Sequence, residues 1–292
     1  MNKTGKFVFI NLCISIIFCF GTVYAQDSYQ TEVSAKYYSS EDDDNNEYKI
    51  YGVNGEVYFS KVDTTGHPLA EAAFLERIGS IEVIAGIEEF KADTNVKADG
   101  HLYGVGATFM NPRLPIAFQA SFITSKLEFD SPSDGDATKE HYEFGFGYFI
   151  TDRLIAGLKY GYSEVEQPIP GAKESNNYEL SAKYVRVLAD GTAFNIEGGL
   201  VLRQFDDGTE DGSNAIINVL CDYYINQKVS IGAGFEINTG DNKEDEGKTF
   251  AIDFKAFVLP RISINAGFAK FLADNDEWKD KESLQVSLSV RF

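Results

Sequence analysis

The chain has 292 residues, with 26 basic and 45 acidic side chains, a formal net charge of −19 and 43% hydrophobic residues. So acidic a balance argues against nucleic-acid binding and against attraction to an anionic leaflet. No run of about 18 apolar residues occurs after Ala25, so any crossing of a membrane by that part of the chain must be made by strands.

Lys3 and Lys6 precede the apolar stretch Phe7 to Phe20, and Val23-Tyr24-Ala25 supplies small residues at the two positions that cleavage needs. This pattern predicts a signal peptide, residues 1–25, followed by a single domain over 26–292. The signal takes two lysines and no acid, leaving 26 − 2 = 24 basic and 45 acidic residues, a net charge of −21. Cys13 and Cys19 leave with it. Cys221 then stands alone, so no internal disulfide is expected.

The first strand is expected over Gln30 to Tyr38, with Thr31, Val33, Ala35 and Tyr37 on one row and Gln30, Glu32, Ser34 and Lys36 on the other. An acidic loop, 41–46, follows. The second strand is expected from Tyr48 to Phe59, with Tyr51, Val53, Gly55, Val57 and Phe59 outward; Gly52 and Gly55 are candidate bulge positions. The period then changes. Pro68 opens and Gly79 closes a stretch of strong helix formers, which predicts a helix of two or three turns within an insert at 67–78.

Alternation resumes at Ile81. Outward rows are expected at Ile81-Val83-Ala85-Ile87, Tyr103-Val105-Ala107-Phe109 and Ile116-Phe118-Ala120-Phe122. Rows of the same kind run through Phe144, Leu158, Leu180, Ile196, Val219, Ile231, Ile252 and Ile264 to a closing strand, Leu284-Val286-Leu288-Val290-Phe292. About 14 strands result. Short turns at 111–113, 151–153, 189–191, 226–228 and 259–261 alternate with longer acidic loops, which is how outer-membrane barrels are arranged. All seven prolines fall outside strand interiors, where they would each remove a ladder hydrogen bond. Tyr37, Tyr48, Tyr142, Tyr162 and Tyr178 at one end and Phe59, Phe109, Tyr148, Tyr223 and Phe292 at the other are expected to form two aromatic girdles.

The terminal Phe292 after alternate apolar positions resembles the ending of outer-membrane β-barrel proteins, and implies recognition by the barrel-assembly machinery. Pro68-Leu69-Ala70-Glu71-Ala72-Ala73-Phe74-Leu75 resembles the segment found in the putative general porins of Gram-negative bacteria. The resemblance implies a channel in the cell outer membrane. An unpaired backbone group in hydrocarbon costs several kcal/mol, so a sheet crosses a membrane only as a closed barrel. The expected fold is therefore all-β, a closed antiparallel transmembrane β-barrel with one short helix in the periplasmic connection after strand 2.

Strand number points to a wet interior, since about eight strands already leave room for side chains alone. The inward rows carry Glu32, Glu56, Glu82, Glu88, Glu143, Glu179, Glu197, Asp222, Glu236 and Asp253 beside Lys36, Arg153, Lys159, Lys183, Arg203, Lys255 and Arg291. A dry core would penalise so many charges severely. These are the candidate pore-lining residues, and their acidic excess predicts a mild cation preference. The expected function is passive diffusion of small hydrophilic solutes; the alternative is a non-conducting barrel serving as surface adhesin or receptor. The insert at 67–78 either covers the periplasmic rim or folds inward, with rim cover the favoured expectation.

Catalysis is not expected. A barrel phospholipase needs a serine and a histidine in hydrogen-bond reach, and His101 and His141 have no serine beside them on their rows. No cofactor is expected. The acidic loops lack calcium-loop spacing, although divalent ions bridging them to lipopolysaccharide phosphates is a further expectation.

Overall fold

The computed structural model describes residues 28–92, 96–130, 136–166, 174–189, 191–206, 211–241, 246–274 and 279–292. The predicted signal peptide, Trp278, Pro132, Pro168 and Pro170 lie outside them. The elements are β1 (Ser28–Asp42), β2 (Glu47–Asp63), α1 (Ala72–Leu75), β3 (Ser80–Lys91), β4 (Lys97–Asn111), β5 (Leu114–Phe129), β6 (Asp136–Thr151) and β7 (Leu154–Glu166). They continue as β8 (Glu174–Val187), β9 (Ala193–Asp206), β10 (Asp211–Asn226), β11 (Val229–Gly240), β12 (Gly247–Leu259), β13 (Ile262–Ala273) and β14 (Lys281–Arg291).

Each strand pairs antiparallel with its chain neighbours, and β1 pairs with β14, so the fourteen-stranded sheet closes and leaves no edge. The seam runs from Glu32↔Arg291 to Asp42↔Lys281. Phe292 completes it, donating its N–H to Thr31 O at 2.8 Å and accepting from Gln30 N at 2.6 Å. The strands span 11 to 17 residues, and most exceed the roughly 9–11 that a tilted strand needs to cross hydrocarbon. Ladders therefore run on into the long-loop end: Glu41 and Asp42, expected in a loop, are still paired in β1.

The apolar rows face outward. Leu158 is 61% exposed and Ile252 63%, whereas Ser34, Asn195 and Ser230 on the opposite rows are buried. In a soluble sandwich those exposures would be reversed, because apolar rows would meet in the core. Cys221 lies exposed on the same outward face.

Two expectations about the second strand change. Gly52 and Gly55 stay in regular register with β1, and the irregularity falls instead between Tyr29↔Val62 and Thr31↔Val57. Extra residues on β2 opposite Gln30 reset the phase of β1 and turn Tyr29 to the inner face. There Tyr29 packs edge-on against Tyr58 at 5.3 Å between ring centroids. Tyr48 also points inward, where its hydroxyl donates to Glu88 Oε1 at 2.5 Å; it does not belong to the girdle.

The helix is shorter than its composition suggests. Only the bonds Leu75 N→Glu71 O and Glu76 N→Ala72 O, both 2.9 Å, have α-helical spacing; Glu71 N→Pro68 O and Arg77 N→Phe74 O span three residues. Upstream the barrel claims the backbone, since Leu69 N donates to Gln227 O at 2.8 Å and Leu69 O accepts from Arg291 Nη1 at 2.8 Å. Downstream Arg77 takes a left-handed conformation, φ 52°, which costs a non-glycine residue about 1–2 kcal/mol. Its guanidinium offsets this by lying 4.2 Å over the Phe149 ring and bonding Asp152 Oδ1 at 2.9 Å. Gly79 is required at the exit: a Cβ there would stand 2.3 Å from Thr108 O.

Candidate channel and its constriction

The insert enters the barrel. Pro68, Leu69, Glu71 and Ala72 are all buried, and Tyr29, Tyr58, Val62, Ala72 and Ile78 form a small dry cluster with Ala73 against it. From β2 the segment reaches the turn after β10, as well as β14, through Leu69, and β6 through the Phe74 ring, 5.7 Å from that of Phe149. It spans the lumen at the short-turn end. The rim-covering expectation is thus replaced by an inward fold, because the segment's polar groups find their partners on the inner wall.

Glu71 is the pivot of that docking. Its Oε1 accepts from the Tyr224 hydroxyl at 2.6 Å, and its Oε2 pairs with Lys183 Nζ at 2.8 Å. Lys183 also pairs with Glu197 at 2.8 Å and sits 5.0 Å over the Phe74 ring. Asn195 donates to Glu197 Oε1 at 2.7 Å and Asp222 Oδ2 at 2.9 Å, extending the network onto β10. On the far side Arg291 holds Glu32 Oε2 at 2.6 Å while its guanidinium stacks on Tyr29 at 4.4 Å and Phe257 at 4.6 Å. One arginine therefore joins the barrel seam to the segment.

The other predicted residues fall into place around the wall. Lys159 pairs with Glu179 at 2.7 Å and approaches Glu143 at 3.8 Å; Glu143 also accepts from Gln119 at 3.0 Å. Glu56 accepts from Tyr58 at 2.8 Å and Ser80 at 2.7 Å, and Glu88 from Tyr48 and Ser125. Glu82 accepts from Asn54 at 3.4 Å, and Arg203 Nε donates to Asn177 at 3.1 Å. Lys36 is exposed on the inner row of β1. Arg153 departs from the expected row: it is exposed in the turn after β6, where its carbonyl accepts from Val185 N.

Asp222, Glu236 and Asp253 share the inner face of β10, β11 and β12. Among the described residues none of the three has a lysine or arginine within ion-pair distance, in contrast to Glu179 and Glu197. Gly232 lies between two of them in register. A Cβ there would stand 1.9 Å from Asp253 Oδ1 and 2.5 Å from Asp222 Oδ1, so the missing side chain is what lets both carboxylates lean over β11. The inward glycines thus give space to neighbouring side chains; the Lys159 stem lies over Gly145 in the same way.

His141 has no serine on its own row but meets one across the ladder, its register partner Ser163, with Nδ1 and Oγ 2.7 Å apart. Both are on the inner wall. Glu71, Tyr224 and Asn195 were absent from the predicted lining. The signal for Glu71 lies in the sequence, as an acid flanked by Leu69-Ala70 and Ala72-Ala73 in the insert.

Residues 6–168, more than half of the chain, match the family described as Putative general bacterial porin. The chain belongs to that family. It is accordingly a bacterial outer-membrane β-barrel of a channel family, and no enzyme. No curated protein matches it. Among solved structures, the outer membrane protein Omp33 of Acinetobacter baumannii is similar at 20% identity and a TM-score of 0.64, with 92% of this chain and 100% of that chain covered. The CymD monoaromatic hydrocarbon channel is similar at 10% identity and a TM-score of 0.54, covering 92% and 89%. A FadL homologue of Pseudomonas aeruginosa follows at 9% identity and 0.52, covering 91% and 90%. At such identities the likeness extends to the fold alone.

Proposed function

We propose that this porin is a passive diffusion channel for small hydrophilic solutes, mildly selective for cations and narrowed at its periplasmic mouth by residues 67–78. The observation that carries the reading is the inner wall, where paired and unpaired charges from Glu32 to Arg291 face a space that fourteen strands leave too wide for side chains to fill. Such charges are tolerated where water reaches them. Asp222, Glu236 and Asp253, which have no ion-pair partner among the described residues, supply the cation preference, which screening over roughly 8 Å at physiological salt keeps weak. In this reading residues 1–25 direct export and are removed, and the Phe292 end presents the chain to the barrel-assembly machinery. The charged side chains of the inner rows line the pore, with Arg153 at its rim and Glu88 and Arg291 buried in its wall.

The test is the zero-current potential of the purified, refolded protein in a planar bilayer under a KCl gradient. A modest potential of cation-selective sign that shrinks as total salt rises is expected. A folded protein that conducts nothing, or one selective for anions, contradicts the proposal.

A further inference from the structure

A cavity of about 300 Å³ opens into the lumen between Phe74 of the insert and the wall formed by β4 to β10. Its floor is a row of small inward residues at one level of the sheet. Ala117 pairs with Gly147, Gly147 with Gly157 and Gly157 with Ser181. On the loop side the floor is bounded by the Lys159–Glu179 pair, and on the turn side by Lys183 and Glu197.

These two boundaries differ. Lys183 is committed to Glu71 as well as to Glu197 and so belongs to the docking of the insert. Lys159 and Glu179 are held by nothing on the insert, and their side chains remain 29% and 23% exposed to the lumen. A cation and an anion 2.7 Å apart offer one partner to a carboxylate and one to an ammonium. The adjoining floor leads from that pair to the Phe74 ring and is lined on the way mainly by carbon.

Resting on the channel reading above, we propose that this cavity is a solute-binding subsite for α-amino acids with an apolar side chain. The carboxylate takes Lys159, the ammonium takes Glu179, and the side chain lies along the small-residue floor toward Phe74. A solute with one charge leaves either Lys159 or Glu179 to its original partner and forfeits half of the recognition. The subsite stands immediately on the loop side of the constriction, where a bound amino acid is handed to the narrowest part of the pathway.

The experiment is isothermal titration of the refolded full chain in detergent micelles with leucine, isoamylamine and 4-methylvalerate, which share a branched alkyl tail and differ in charge. Leucine is expected to bind at least about tenfold more tightly than either analogue, a difference of about 1.4 kcal/mol. Lys159→Gln and Glu179→Gln are each expected to erase that preference, and Lys159→Arg to retain it. Heat-modifiable gel mobility establishes that each variant is folded. Equal affinities for the three compounds, or a preference untouched in folded K159Q and E179Q, overturn the proposal. KCl conductance of the same preparation is read separately. Conduction without leucine preference defeats the subsite and leaves the channel standing, whereas leucine preference without conduction supports the subsite and removes the channel.

Discussion

The two ends of the lumen are built from the same strands with the same alternation, yet they differ in kind. At the short-turn end the inward side chains meet protein: Tyr29, Tyr58 and Val62 pack on Ala72 and Ile78, and Val62 is fully buried. Farther along, inward residues such as Lys36 and Gln119 are exposed. Period two decides which face a residue occupies, but what that face meets is decided by one non-strand insert. A barrel too wide to fill itself is narrowed at one mouth by its own connection.

Energetics offers the largest contrast between the ends. Tyr58→Ala empties part of the dry cluster and should cost about 3–5 kcal/mol, as large aromatic truncations in packed cores do. Gln119→Ala, at a wet inner position, should stay within about 0.5 kcal/mol. Urea titration of the folded fraction in lipid vesicles compares them; similar costs would erase the distinction between packed and open ends.

A smaller effect sharpens the account of what holds the insert. Glu71→Gln keeps the shape and a hydrogen bond to Tyr224 but removes the ion pair with Lys183, which retains Glu197. About 1–2 kcal/mol should be lost locally, raising amide hydrogen exchange over 67–78 by about 5–30-fold. Unchanged exchange across the segment would mean that Arg291 and the aromatic cluster suffice to hold it.

Much of the barrel is legible in the sequence because a lipid-facing row tolerates no charge and a wet row carries many, so phase can be read strand by strand. Phase is not legible where it is ambiguous or reset. Tyr48, expected in a girdle, sits in the half of β2 without clean alternation, and Tyr29, just before the expected first strand, is turned inward by a register shift that no glycine marks. The helix came out short because Leu69 spends its backbone groups on Gln227 and Arg291, partners 158 and 222 positions away in the chain. Such distant pairing leaves no local trace. The same applies to the charge network around Glu71, whose members come from the insert, β8, β9 and β10. His141 and Ser163 escaped for a related reason: they meet across two strands, and a search along single rows cannot see a register pair.

The most direct measurement is single-channel conductance of the native chain beside a variant in which residues 64–79 are replaced by a short Gly-Ser linker joining Asp63 to Ser80. A lumen closed down at one mouth predicts a several-fold rise in conductance on deletion, with heat-modifiable folding preserved. Equal conductance in the two folded proteins would place the narrowest point elsewhere and contradict the role given to the insert.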